Sequence, residues 1–238
     1  MITTFRSRIE QVIAPSLIDR VPRDHEQSPR GFTRRRIVVG IVLLIGAVLL
    51  GFSLSVRPGD ARFYALTAAV AATWTIGGLL SGPLHLGYIP FRGGLRRPVL
   101  VPIVTGLLAA AVFLVGALIV REIPPLRDYV ESVLAHARFG SLALVTLVTL
   151  ANGAAEEVFF RGALFAAIGR RYPVVISTVI YAIATVATRN PMLVFAAFTL
   201  GFVLGLQRRA SGGILAPMLT HVTWSAVMLF ALPPLFPH

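Results

Sequence analysis

Apolar residues run along this chain in long blocks, separated by short stretches rich in Arg, Gly and Pro. Blocks near 37–56, 63–80, 98–120, 139–155, 173–188, 191–206 and 213–232 approach the ~20 residues that cross a hydrocarbon core of about 30 Å as a helix. The fourth continues to 168 if Glu156, Glu157 and Arg161 are admitted to it. Lipid cannot hydrogen-bond an open backbone, so runs of this length predict helices that satisfy their own peptide groups. The pattern predicts an all-α, polytopic transmembrane bundle of about seven spans. An eighth would fit if a long segment is broken.

Composition excludes the soluble alternatives. Apolar residues make up 56% of the 238 and charged residues 13%, against roughly 45–50% and 25% in soluble domains. The absence of Cys removes disulfide frameworks, thiolate metal sites and a cysteine nucleophile together.

The formal charge of +12 comes from 22 basic residues, all of them Arg. Their placement argues for a membrane and against nucleic acid. The tail to residue 36 and the connections 81–97, 169–172 and 207–212 hold 15, and the opposite connections hold 6. Positive loops stay on the cytoplasmic side, so the N-terminus is expected there, in a multi-pass protein of the cell membrane. Within the tail, Phe5, Ile9, Val12 and Ile13 share a helical face opposite Arg6, Arg8, Glu10 and Gln11. That fits a short helix on an anionic leaflet, and equally a disordered basic tail.

The chain divides into a basic tail (1–36), three ordinary spans with their loops (37–138), a polar core (139–232) and a short end (233–238). The first three spans carry almost nothing able to do chemistry. His85, just past the second, reads as an interfacial structural residue. No internal repeat supports a transporter built from inverted halves.

The core is different. Glu156, Glu157 and Arg161 fall inside one apolar stretch and His221 in the middle of another, where each ionisable group costs on the order of 2.5–3.5 kcal/mol. On an α-helix Glu157 and Arg161 are i,i+4 neighbours and can neutralise each other. Glu156 points about 100° away, with no partner of opposite charge nearby. It is either a second structural charge or a general base in a partly dry cavity. His221 shares a face with Ser225 and Pro217, and Glu156 is a candidate partner for it. Tyr181 and Thr185 are also i,i+4. Counting from the Arg-rich end puts His221 and Thr185 roughly 12 and 18 Å deep, with Glu156 shallower.

The block Glu156–Glu157–x–x–x–Arg161 resembles the first motif of the CPBP family, the CAAX proteases and bacteriocin-processing enzymes, which are intramembrane endopeptidases. Tyr181–Ala–Ile–Ala–Thr185 stands where the family has an aromatic residue four before a His. His221–Val–Thr–Trp–Ser225 stands where it has a His four before an Asn. Leu200–Gly201–Phe202–Val203–Leu204–Gly205, Arg208–Arg209 and Ile214–Leu215–Ala216–Pro217 are also similar to the family. The resemblance covers about 139–232.

It implies that Glu156 activates water and that His221 stabilises the oxyanion. Glu157, Arg161, Tyr181, Thr185 and Ser225 support them. Two departures touch the chemistry. Thr185 replaces a His that would help activate water, and Ser225 replaces an Asn that would donate to the oxyanion. With one motif His left, a two-His metal site cannot be assembled, so neither a metal nor another cofactor is expected.

Three functional classes follow: a protease cutting a membrane protein or peptide, a pseudoprotease that binds such a partner in the same cavity, and a transporter. The resemblance favours the first. Substrate and oligomeric state are not encoded in any motif.

Overall fold

The computed structural model describes residues 14–22, 26–91 and 93–237. The face expected over Phe5, Ile9, Val12 and Ile13 lies outside them. Eight α-helices occur among the described residues. They are α1 (Pro29–Ser55), α2 (Arg62–Leu80), α3 (Leu100–Val120), α4 (Pro124–Phe139), α5 (Leu142–Ile168), α6 (Pro173–Val186), α7 (Pro191–Ser211) and α8 (Leu215–Ala231). Between α2 and α3 a small antiparallel hairpin, β1 (Ile89–Phe91) and β2 (Gly94–Arg96), pairs Phe91 with Gly94 at its turn.

Helices α1, α2, α3, α5 and α7 are long and apolar enough to cross a membrane. The other two apolar helices, α6 and α8, are shorter, at 14 and 17 residues. The bundle is apolar outside, and its apolar core also encloses charged and polar side chains. Leu44, Phe52, Leu108, Val112, Ile119 and Leu147 are exposed, whereas Arg35, Glu157, Arg161, Gln207 and His221 are buried. Outward apolar surface on this scale is a lipid-facing surface. This is an all-α, multi-pass membrane bundle.

Three elements differ from the apolar-block reading. Helix α1 begins at Pro29, well before the first apolar residue at Ile37. Ser28 caps it, with Oγ accepting from Gly31 N at 3.2 Å, and Pro29 supplies the pre-set first-turn dihedral. The connection 121–138 is mostly helix α4. Its mixed composition hides it from a search for apolar runs, but it buries Leu134 and His136. The third difference is α5, which does run on to Ile168 through its three charges.

Close helix contacts set the site's frame. Gly46 of α1 lies under the Trp74 ring of α2, where a side chain would collide. Gly106 of α3 faces α8 so closely that a Cβ would stand 2.7 Å from Thr220 O, and Thr220 Oγ1 donates to Pro102 O at 2.9 Å. Trp74 stacks on Phe159 at 4.6 Å between centroids, Phe159 meets Phe160 edge-on at 5.1 Å, and Phe160 meets Tyr181 at 4.5 Å. These rings bind α2, α5 and α6 into one core directly beside the charged residues.

Candidate active site

The charged part of α5 is not regular α-helix. Residues Glu157–Leu164 form a π-helical segment that begins immediately after Glu156. Such segments are rare and concentrate at functional sites, because the wider turn re-aims side chains that an α-helix would stack. Here Glu157 and Phe159 through Phe165 are all buried.

The two neighbouring carboxylates enter different surroundings. Glu157 is fully buried, and its Oε1 accepts from Arg161 Nη1 at 2.9 Å. The same oxygen lies 2.9 Å from Nδ1 of His221 on α8. Arg161 Nη2 also donates to Gly201 O of α7 at 3.0 Å, and its guanidinium stands 4.8 Å from the centre of the Tyr181 ring. The ion pair is therefore a junction of α5, α6, α7 and α8. A carboxylate accepts, so the bond to Glu157 uses Nδ1–H of His221, and Nε2 is the ring nitrogen available to the cavity.

Glu156 is the expected partner of His221, and the hydrogen bond goes instead to Glu157. Glu156 Oε2 accepts from the Tyr181 hydroxyl of α6. Glu157 reaches His221 of α8, while Glu156, about 100° away, reaches Tyr181 of α6. Glu157 thus joins two roles that the sequence separates, closing the ion pair and holding the imidazole.

One cavity of about 340 Å³ collects Glu156, Tyr181, Thr185, His221 and Ser225, and Glu157 and Arg161 lie behind it. Its wall is largely apolar, with Leu50, Val70, Val148, Leu200 and Leu229 among the lining residues. Thr185 is buried and donates to Tyr181 O of its own helix at 2.9 Å, so toward the cavity its oxygen can only accept. Gly153 of α5 faces α8, where a Cβ would make ordinary contacts at 3.5 Å from Ser225 Oγ and 3.6 Å from the His221 ring.

The depths also agree better than the apolar blocks suggest. Counted from Ile168, Glu156 lies roughly 18 Å in, as does Thr185 counted from Pro173, with His221 about 9 Å from Leu215. Extending α5 through its charges brings Glu156 to the depth of Thr185, with His221 nearer the end of its own helix.

Two further residues belong to the site's wall. Asn152 Nδ2 donates to Thr67 O of α2 at 3.0 Å and stands one residue before Gly153 on the cavity lining. His136 of α4 lines the cavity at its other end, with Nε2 at 3.1 Å from Val56 O. Asn152 is visible in the sequence as a neighbour of Glu156. Nothing in the sequence marks His136, whose place depends on α4 folding over the bundle.

Among the described residues, no three His, Asp or Glu side chains converge in a way that could hold a metal ion. The donor set does not fit a divalent metal, and no step below passes through one.

Residues 138–227 match the model of the type II CAAX prenyl endopeptidase Rce1-like family. This segment is similar to that family. It contains α5 to α7 and most of α8, which supply the Glu156–Glu157–Arg161 block, Tyr181, Thr185, His221 and Ser225. A sodium/proton antiporter NhaA 2 of Erythrobacter litoralis (strain HTCC2594) is 28% identical over 185 residues, covering 71% of this chain and 42% of that protein. The chain thus spans less than half the length of that relative. No solved structure matches. The likeness to this family of prenyl endopeptidases is confined to 138–227, less than half of the chain.

Proposed function

We propose that the protein is an intramembrane endopeptidase whose working site is the cavity beside Glu156. One observation carries this reading: a carboxylate and an imidazole from different helices line the same largely apolar cavity inside the bundle. In a water-poor site a carboxylate is a stronger base, and fixed dipoles act with less screening.

In this mechanism Glu156, held by the Tyr181 hydroxyl, takes a proton from water as its oxygen attacks the peptide carbonyl carbon. The carbonyl oxygen becomes an oxyanion, met by Nε2–H of the His221 imidazolium and by the Ser225 hydroxyl. Glu157 stabilises that imidazolium through Nδ1–H. Collapse of the intermediate breaks the C–N bond, and Glu156 returns its proton to the leaving nitrogen. Thr185 accepts a hydrogen bond from the water but cannot draw its proton, so the water is less well activated than with a second imidazole.

The apolar wall suits the side chains of a membrane-embedded protein or peptide substrate. The Arg asymmetry supports a cell-membrane protein with a cytoplasmic N-terminus, whose basic tail rests on anionic lipid. The polar requirements of the cavity call for no nucleic acid and no cofactor.

A second reading, a pseudoprotease that captures a membrane partner without cutting it, is favoured by the same Thr185. A reconstituted assay separates them. Purified protein in proteoliposomes is given a pool of transmembrane peptides, and products are read by mass spectrometry. Cleavage that Glu156→Gln abolishes supports the protease, and partner retention without products supports the pseudoprotease. The likeness to an antiporter is tested in the same vesicles. Sodium-driven proton movement sensitive to Glu156→Gln, with no peptide products, would replace both.

A further inference from the structure

A second cavity, of about 890 Å³, lies at the Arg-rich end of the bundle, away from the Glu156 cavity. Arg20, Arg35, Arg170, Arg208 and Arg209 line it, arriving from the tail, α1, the end of α5 and the end of α7. Glu26 is the only carboxylate among the described residues of its wall. We propose that this cavity binds a phosphate-bearing anion, either a lipid headgroup or a free phosphate compound.

The plainest alternative is that these arginines complement helix C-termini, where cations are favoured. That accounts for Arg208 and Arg209 in the last turn of α7 and for Arg170 just past α5. It does not account for Arg35, which lies in the first part of α1 and is only 3% exposed. Arg35 Nε donates to Gln27 Oε1 at 3.1 Å, Nη1 to Ser81 Oγ at 3.4 Å and Nη2 to Pro83 O at 3.0 Å. All three acceptors are neutral, so they satisfy the donors without balancing the charge. A buried cation so placed is costly unless a counter-charge arrives.

The backbone is shaped around that side chain. Gly82 has φ +141, and a Cβ on it would lie 2.6 Å from Arg35 Nη2. His85, another lining residue, is held below the ordinary imidazole value by burial and then by Arg208 and Arg35, which reports a positive field within the cavity. Five guanidiniums face one carboxylate among the described residues of the wall, and a phosphate group, with three or four acceptor oxygens, suits such a positive setting. The volume lies within the range of small-molecule sites and exceeds a single inorganic ion.

The test uses the full-length protein in neutral detergent, titrated with a short-chain phosphatidate, its phosphatidylcholine counterpart and inorganic pyrophosphate. Thermal unfolding midpoint is the readout. The expected result is a saturable rise with phosphatidate and none with phosphatidylcholine. The exposed pair Arg20→Gln/Arg170→Gln should weaken the effect about tenfold or more. Arg121→Gln/Arg127→Gln, at the other end of the bundle, should leave it unchanged. A rise with pyrophosphate alone assigns the same site a soluble occupant. No rise with either phosphate compound would overturn the proposal, as would an equal rise in the Arg20/Arg170 variant. Native mass spectrometry of phosphatidate retention gives the same comparison independently of unfolding, so a variant of altered stability is still informative.

Discussion

Nδ1 of His221 lies 2.9 Å from Oε1 of Glu157, the same oxygen that accepts from Arg161. One buried carboxylate thereby fixes an imidazole on α8 and an arginine on its own helix. Its neighbour Glu156, one residue earlier, faces the cavity with only the Tyr181 hydroxyl as a hydrogen-bond partner.

This division predicts unequal effects on folding. Arg161→Ala leaves Glu157 uncompensated in a fully buried setting, and breaking such a pair costs roughly 3–5 kcal/mol. Folded protein recovered in detergent should fall sharply. Glu156→Gln keeps a side chain able to accept from Tyr181 and should leave recovery nearly unchanged. Equal losses, measured by fluorescence-detected size-exclusion chromatography, would contradict the separation.

The bundle itself was legible because lipid imposes a long apolar run on every span, and seven runs became seven apolar helices. Helix α4 was not, because its burial depends on packing against α3, α5 and α7 and not on its own hydropathy. Within the site, the i,i+4 spacing identified the Glu157–Arg161 pair correctly. The partner of His221 was misassigned because spacing along α5 does not say which of two neighbouring carboxylates faces α8.

Topology gives an independent check. Reporters fused after residue 30 and within 81–97 should be cytoplasmic, and one within 121–138, on α4, should be exported. A cytoplasmic signal from the α4 fusion would contradict both orientation and span count.

His85 should leave a pH signature. Burial first, then Arg208 and Arg35, lower its pKa from the ordinary 6.5. The unfolded chain therefore binds that proton more readily, so stability is fully present above the ordinary value and is lost as pH falls below it. His85→Gln should flatten the fall in unfolding midpoint between about pH 7.5 and 5. An unchanged slope would show that other groups carry the acid sensitivity.

Thr185 offers a gain-of-function test. Its hydroxyl donates to Tyr181 O and can only accept a hydrogen bond from the cavity side, and a neutral hydroxyl is too weak a base to take a proton from water. General acid–base assistance is typically worth 10²–10⁴-fold. Thr185→His should raise the cleavage rate by about tenfold or more if part of that assistance is restored. A pseudoprotease would gain partner binding or nothing, with no products.

The most direct measurement is cleavage of a transmembrane peptide pool by reconstituted wild-type protein, compared with Glu156→Gln and His221→Ala. The expected result is defined products from the wild type, none from Glu156→Gln, and a rate lowered about 10²-fold or more by His221→Ala, as for loss of an oxyanion donor. Products that persist unchanged in both variants would contradict the assignment of catalysis to this cavity.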